Sequence, residues 1–322
     1  MTTTLDQLVD DLLSRLAASF RLGAEVGGRP LGEALEAAIR AAAARPMPNW
    51  GTRGPRTAVA HDSSGPLVFA YRPHLFPGMD EALRLGHQVQ YWQLPRELPT
   101  GAPVEVATVL ESYCHLSGDL FGWHEDAAGF TLWLIDMSGH GVRAGFAALV
   151  FKLLITEVAP GLTPAALAAE VERRFLAARN PADRVPLYAT GVVLRIGRDG
   201  TVRYVSAGHP PVLVRRADGV VAEAGPTCLP LALFDSCEAR EKALELTADD
   251  TALLYTDGLM EAGDGDGRPF GVGRITEILA AGPGRPVEVT SRLYEAVAAH
   301  HDLDRLDDDV TFLALRRTTA RG

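Results

Sequence analysis

Apolar positions along this chain recur with two periods, and the change between them divides it. Leu5, Leu8, Val9, Leu12, Leu13, Leu16 and Phe20 share one helical face, with Thr4 and Gln7 placed as a capping box, so residues 4–20 predict an amphipathic helix. Leu31, Leu35, Ile39 and the alanines around them predict a second helix to Ala44. Pro46, Pro48, Gly51, Gly54 and Pro55 break that pattern, and residues 57–72 read as a hairpin: Ala58 to Ala60, a turn near Ser64-Gly65-Pro66, then Leu67 to Tyr71. Residues 79–94 return to helix, with Ala82, Leu85, Val89 and Trp92 on a short heptad-like seam. Such a helix carries a signal and a homodimer contact, or it is ordinary packing. Pro95 and Pro99 close it.

From Val104 the texture becomes strands alternating with helices. Val104–Tyr113, a strand starting at Gly118-Asp119, and Phe130–Ile135 read as strands. Leu187–Ile196 and Thr201–Val205 flank the hairpin turn Asp199-Gly200, and Val212–Arg216 and Val220–Ala222 flank Asp218-Gly219. Ala252–Thr256 and Val310–Leu315 complete the strands. Helices are expected from Val142 to Leu154, after the Thr163-Pro164 cap, and over 272–281 and 286–299. Hairpin-linked strands with helices inserted in pairs predict an α+β class: an α-β-β-α sandwich of two antiparallel sheets flanked by helix pairs. A smaller, partly helical N-terminal regulatory or interaction region (1–78) and a linker helix (79–99) precede this domain (100–318).

Composition narrows the classes. The 322 residues are 47% hydrophobic and 22% charged, enough for a large core, and the formal charge of −10 argues against nonspecific nucleic-acid binding. Three scattered cysteines, Cys114, Cys228 and Cys237, do not make a zinc site or a disulfide framework. With no basic leader and no long apolar run, a cytoplasmic protein without membrane contact is expected.

The chemistry lies in four acids. Asp119, Asp136, Asp257 and Asp308 each sit at the edge of an apolar strand beside a turn. Gathered at one edge of a sandwich, they would repel unless cations neutralised them. Oxygen-only donors select hard ions such as Mg²⁺ or Mn²⁺, and two such ions about 3.5–4 Å apart activate water toward a phosphate.

The segments around these acids resemble the PPM-type (PP2C-like) metal-dependent serine/threonine phosphatases, in their SpoIIE/RsbU-like bacterial branch. They are Ser117-Gly118-Asp119, Ile135-Asp136-Met137-Ser138-Gly139-His140-Gly141, Ser206-Ala207-Gly208-His209-Pro210-Pro211, Leu254 to Ala262 and Asp308-Asp309-Val310-Thr311-Phe312, in the family's order. The resemblance implies that Asp136 bridges two metals and that the Met137 carbonyl joins the first. It implies that Asp257 and Asp308 hold the second metal, and that Asp119 contacts the first directly or through water. Activated water would attack phosphorus in line. The implied substrate is a phosphoserine or phosphothreonine protein, such as an anti-sigma-factor antagonist. His140, at a helix start, is a candidate proton donor or phosphate contact; His209, Thr256, Glu261 and Thr311 read as supporting residues. The family often has a further acid where Gly122 stands, which places one metal site in question and leaves a second reading: a catalytically weak or inactive adaptor of the same fold. Gly263-Asp264-Gly265-Asp266-Gly267 lacks the glutamate of a calcium loop and reads as an acidic turn.

Overall fold

The computed structural model describes residues 4–45, 68–70, 81–95, 97–100, 102–114, 116–183 and 185–318. Helix α1 (Leu5–Ala17) starts at the capping box: the Thr4 hydroxyl accepts from the Gln7 amide, and the Gln7 side chain accepts from the Thr4 amide. A ribbon of β1 (Glu25–Val26) and β2 (Arg29–Pro30) leads into α2 (Leu31–Ala43). After β3 (Val68–Ala70) comes α3 (Glu81–Gln93), then β4 (Val104–Glu111), β5 (Asp119–Asp126) and β6 (Gly129–Met137). Helices α4 (Val142–Val158) and α5 (Pro164–Ala178) precede β7 (Ala189–Gly197), β8 (Val202–Ala207), β9 (Val212–Arg215), β10 (Val221–Ala224), β11 (Lys242–Ala243) and β12 (Thr251–Tyr255). The short α6 (Asp257–Glu261), then α7 (Val272–Ala280), α8 (Pro286–His300) and β13 (Val310–Arg317) end the chain.

The strands form a six-stranded sheet, β10-β9-β12-β13-β4-β3, and a five-stranded sheet, β11-β8-β7-β6-β5. All pairs are antiparallel except β3 with β4, which run parallel. The hairpin expected over 57–72 falls largely outside the described residues. Its described strand pairs with β4, and its other arm, Ala58 to Ala60, lies outside the described residues.

Alternation along β6 shows how the layers form. Leu132 and Leu134 enter the core between the sheets, where Phe121, Phe130, Val192, Leu254 and Leu313 meet them. Trp133, Ile135 and Met137 face the opposite way, into the helical layer of α4 and α5. Helices α7 and α8 cover the other sheet through Ile275, Leu279, Val289 and Leu293. Full burial of each such side chain stabilises the fold by roughly 1.5–3 kcal/mol.

Helix α4 is apolar around nearly its whole circumference, because it is covered on both sides. The five-stranded sheet lies on one side, and α1, α2 and α3 share the same apolar cluster on the other. The seam read at Ala82, Leu85 and Val89 is therefore only 1–5% exposed and packs inside the chain. Of the two readings of the 79–94 helix, ordinary packing against α1, α2 and α4 accounts for these three positions, and a homodimer through it stays an expectation.

Lys152 is the exception on α4. Its ammonium donates to the Phe121 carbonyl at 2.8 Å and lies over the Trp133 ring, 5.2 Å from the centroid. It fills the space beside Gly122, where a Cβ would run into the Lys152 ammonium and stand 2.6 Å from the Trp133 ring. Burial pulls the Lys152 pKa down to about 7. The unfolded chain then holds a proton on this lysine that the folded chain lacks between pH 7 and the ordinary lysine value, so folding gains stability as pH rises through that window. Relative to a Lys152→Met variant, the native chain should gain up to about 1.4 kcal/mol per pH unit between pH 7 and 9 in denaturant titrations. Equal slopes would place the amine in water. Gly122→Ala should cost about 1–3 kcal/mol by overpacking against Trp133, read in the same titrations, while leaving divalent-ion binding unchanged.

Candidate active site

The acid at the end of β6 owes its place to register. Asp119 and Asp136 are direct cross-strand partners on β5 and β6. Side chains alternate across a strand, so Asp136 shares the inter-sheet face with Leu132 and Leu134, and Asp119 shares it with Phe121. Both therefore look across the gap toward the six-stranded sheet. Beyond Met137 the chain turns through Gly139 and Gly141, at φ 79° and 80°, a region that favours glycine, and α4 begins. The Met137 amide donates to the Gly118 carbonyl at 3.2 Å, which ties the two acid-bearing segments together.

The facing sheet supplies the other acids. β12 ends at Tyr255, Thr256 precedes the helix, and Asp257 is the first residue of α6. Gly258 lets this turn close on β13, because a Cβ there would strike the Asp309 carbonyl. Asp308 lies two residues before β13 and senses the charge of Asp257. The Thr256 hydroxyl donates to Asp119 at 2.9 Å and accepts from the Thr311 amide at 3.0 Å, linking the two sheets at this edge.

Electrostatics record the crowding. Burial, then the charges of Asp257, Asp308 and Asp309, raises Asp136 to about 8. Burial, then Asp136 and Asp309, holds Asp119 well above the usual carboxylate range. Burial and the Asp257 charge raise Asp308, and Glu261 rises through burial, Asp257 and Asp308. All four acids read in the sequence thus meet in one field. Among the described residues, no three His, Cys, Asp or Glu side chains close on a single point tightly enough to enclose an ion. An all-oxygen set of carboxylates beside backbone carbonyls fits a hard divalent cation that keeps part of its water shell, and fits zinc poorly. Its positive charge would offset the burial and repulsion that raise Asp119, Asp136 and Asp308.

Two supporting residues escaped the sequence reading. Asp309 is buried and accepts from the Gly118 amide at 2.6 Å and the Tyr113 amide at 2.7 Å. Burial, partly offset by these donors, raises it to about 6. The run Asp307-Asp308-Asp309 was the visible signal, but which member turned inward was not. Thr190 on β7 places its hydroxyl 3.4 Å from Asp136 and 2.8 Å from the His209 ring. His209 is buried and its pKa falls to about 3, so its ring is neutral there. A lone threonine in an apolar strand carries no sequence signal for this role.

His140 lies exposed at the mouth, edge-on to Tyr113 at 4.8 Å, and its charge acts on Asp308. Gly122 shares the strand face of Leu120, which packs in the helical layer, so an acid there would point away from Asp119. Its absence does not touch the acid cluster. The 263–267 segment is an acidic turn: the Asp264 carboxylate accepts from the amides of Asp266 and Arg268, both at 2.9 Å.

Comparison with known proteins places these features. Residues 126–318 match the family described as Stage II sporulation protein E (SpoIIE), a stretch holding Asp136, Asp257 and Asp308, with Asp119 just before it. Phosphoserine phosphatase RsbP of Bacillus subtilis is 26% identical over 209 residues, 62% of this chain and 50% of its own. The chain thus spans about half the length of that relative. Among solved structures, the PP2C domain of SiaA from Pseudomonas aeruginosa superposes with a TM-score of 0.62 at 18% identity, covering 73% of this chain and 96% of that one. The PP2C phosphatase domain of SpoIIE from Bacillus subtilis, with a fragment of its regulatory domain, gives 0.58 at 16% identity, over 68% and 63%. These two likenesses show the shared sandwich fold. The family match covers more than half of the chain, and the chain belongs to the SpoIIE family.

Proposed function

We propose that this chain is a divalent-metal-dependent protein serine/threonine phosphatase acting on a phosphorylated regulatory protein. The observation that carries the reading is the register pair Asp119–Asp136 set against Asp257 and Asp308 from the opposite sheet. Family membership and the likeness to a phosphoserine phosphatase support the same reaction.

In this reading Asp136, the Met137 carbonyl and Asp119, directly or through water, would hold one Mn²⁺ or Mg²⁺ ion, and Asp136, Asp257 and Asp308 would hold a second. When bound, such ions polarise the phosphoryl oxygens and lower the pKa of water. The chain's own residues hold that arrangement. Thr190 and Thr256 orient Asp136 and Asp119 by hydrogen bonds, and Asp309 clamps the loop before β5 through two amides. His140, which is exposed and whose charge acts on Asp308, would serve as proton donor or phosphate contact. The class of partner this favours is a phosphorylated anti-sigma-factor antagonist. Among the described residues no helix is long and apolar enough to cross a membrane. The adaptor reading loses its one support, because position 122 faces the helical layer.

Helix α3 has a physical route to the site. The Gln90 side chain of α3 donates to the Ser117 carbonyl at 2.7 Å and accepts from the Ser117 amide at 3.0 Å. It thereby grips the segment that leads directly into Asp119. We infer that a shift of α3 is felt as a change in Asp119.

The purified chain should release phosphate from a phosphoserine peptide with Mn²⁺ and stop on addition of EDTA. Inactivity of folded, metal-loaded protein with its phosphoprotein partner present would overturn the reading. Asp136→Asn or Asp257→Asn should lower kcat/KM by more than about a hundredfold, beyond the usual cost of losing a mere supporting partner of a ligand. Without metal, Asp136 binds its proton more tightly in the folded chain than in the unfolded one. Stability should therefore fall as pH rises from about 4 to 8, and Asp136→Asn should flatten that fall. Gln90→Ala should weaken Mn²⁺ binding about 10–100-fold in isothermal titration with the fold retained; unchanged affinity would leave Gln90 as packing alone.

A further inference from the structure

Two cysteines lie together in a loop that the phosphatase reading does not use. The segment from Thr227 to Cys237 caps the ends of β7 and β8. The Thr227 and Cys228 amides both donate to the Ser206 carbonyl, at 2.8 and 3.2 Å, and the Gly208 amide donates to the Cys228 carbonyl at 3.1 Å. Leu231 and Ala189 exchange a pair of backbone bonds at 2.8 and 2.9 Å. The loop then returns on itself, with the Leu229 amide donating to the Cys237 carbonyl at 3.2 Å. The buried Glu172 carboxylate on α5 fixes this return, accepting from the Ala232 amide at 2.8 Å and the Cys237 amide at 3.0 Å. Ala232 is held at φ 61° and Glu238 at φ 52°, left-handed conformations that a non-glycine residue adopts at a cost. The closed shape is thus imposed by the surrounding contacts.

That closing bond from Leu229 to Cys237 sets Cys228 and Cys237 side by side, neither in a disulfide, with the Cys228 thiol donating to the Ser206 carbonyl at 3.8 Å. Their surroundings differ. Cys228 is partly exposed, and the neighbouring Cys237 thiol leads the influences that bring its pKa down to about 7. Cys237 is buried, and the Cys228 thiol beside it together with burial raises its pKa, so it keeps its proton. An accessible thiolate beside a protonated, buried thiol is the arrangement of an attacking and a resolving cysteine.

We propose that Cys228 and Cys237 form a reversible redox pair, oxidised by hydrogen peroxide to a disulfide that closes the 229–236 loop. The Cys228 thiolate attacks one peroxide oxygen; the S–O bond forms, the O–O bond breaks, and the departing hydroxide takes a proton to become water. The Cys237 sulfur then attacks the Cys228 sulfur; the S–S bond forms, the S–O bond breaks, and hydroxide leaves with the Cys237 proton as a second water. Two thiols lose two hydrogens and two electrons, and one peroxide becomes two waters. A dithiol reductant reverses the change.

The pair sits one hydrogen bond from the acid cluster's support. Cys228 holds Gly208; the next residue, His209, contacts Thr190, whose hydroxyl meets Asp136. Drawing Cys228 toward Cys237 therefore moves the strand end that positions Asp136. This consequence rests on the phosphatase reading, whereas the disulfide does not.

The full chain carrying Cys114→Ser should be treated with hydrogen peroxide, alkylated and mapped by mass spectrometry. The expected product is an intramolecular Cys228–Cys237 peptide pair, lighter by two hydrogens and restored by dithiothreitol. Cys237→Ser should accumulate a Cys228 sulfenic acid trapped by dimedone, and Cys228→Ser should leave Cys237 unmodified. Two thiols still open to alkylation after peroxide, or a bond formed only between molecules, would overturn the pair. Where a variant fails to fold, mapping the native chain decides the same point. Phosphate release by the oxidised chain should fall several-fold and recover with dithiothreitol. A disulfide that forms while an active enzyme keeps its rate would overturn the link to Asp136; a reduced chain without activity would instead count against the phosphatase reading.

Discussion

Mutual repulsion among carboxylates at one edge of the sandwich is the constraint on which the rest of this structure turns. Asp119, Asp136, Asp257, Asp308 and Asp309 are drawn together although each raises the energy of another's charge. Left alone, such a group would spread apart. Strand register prevents this for Asp119 and Asp136, and the close approach at Gly258 prevents it for Asp257 and Asp308. Asp309 is held differently, by two backbone amides that give its buried carboxylate the donors it needs. The cluster is a stored electrostatic demand, and a divalent cation is the simplest way to meet it.

The helical layer over the five-stranded sheet gives that demand a mechanical neighbour. Helix α4 starts directly after the Gly139–Gly141 turn and is buried between the sheet and the N-terminal helices. Helix α3 touches the same region through Gln90, which holds both backbone polar groups of Ser117. Side chains in such close packing move together or not at all. A rearrangement of α1 to α3 thus has few ways to relax without disturbing the segment before Asp119. Lys152 shows how closely this layer is fitted, since its amine occupies the volume that Gly122 leaves beside Trp133.

Much of this was legible in the order of residues. Apolar alternation and the Asp-Gly turns located nearly every strand of the two sheets, and the Thr4–Gln7 and Thr163-Pro164 signals marked helix starts where they occur. The four acids stood out because each ended an apolar run beside a turn. The short helix α6 was not expected, because five residues are too few to show a period. The parallel pairing of β3 was missed for a related reason: three residues carry no information about which neighbour they will take.

What the sequence by itself determined was local: which segments are strands or helices, which acids lie at their ends, and which family the ordered motifs resemble. Those properties depend on neighbours within a few residues, so the pattern displays them. The tertiary structure decided everything that depends on facing. It buried the Ala82–Leu85–Val89 seam inside the chain, turned position 122 away from the acids, and chose Asp309 as the buried member of its run. It also brought Thr190 to Asp136 and Cys237 to Cys228. Strand parity and loop return set these meetings, and both are settled only when sheets stack and helices cover them.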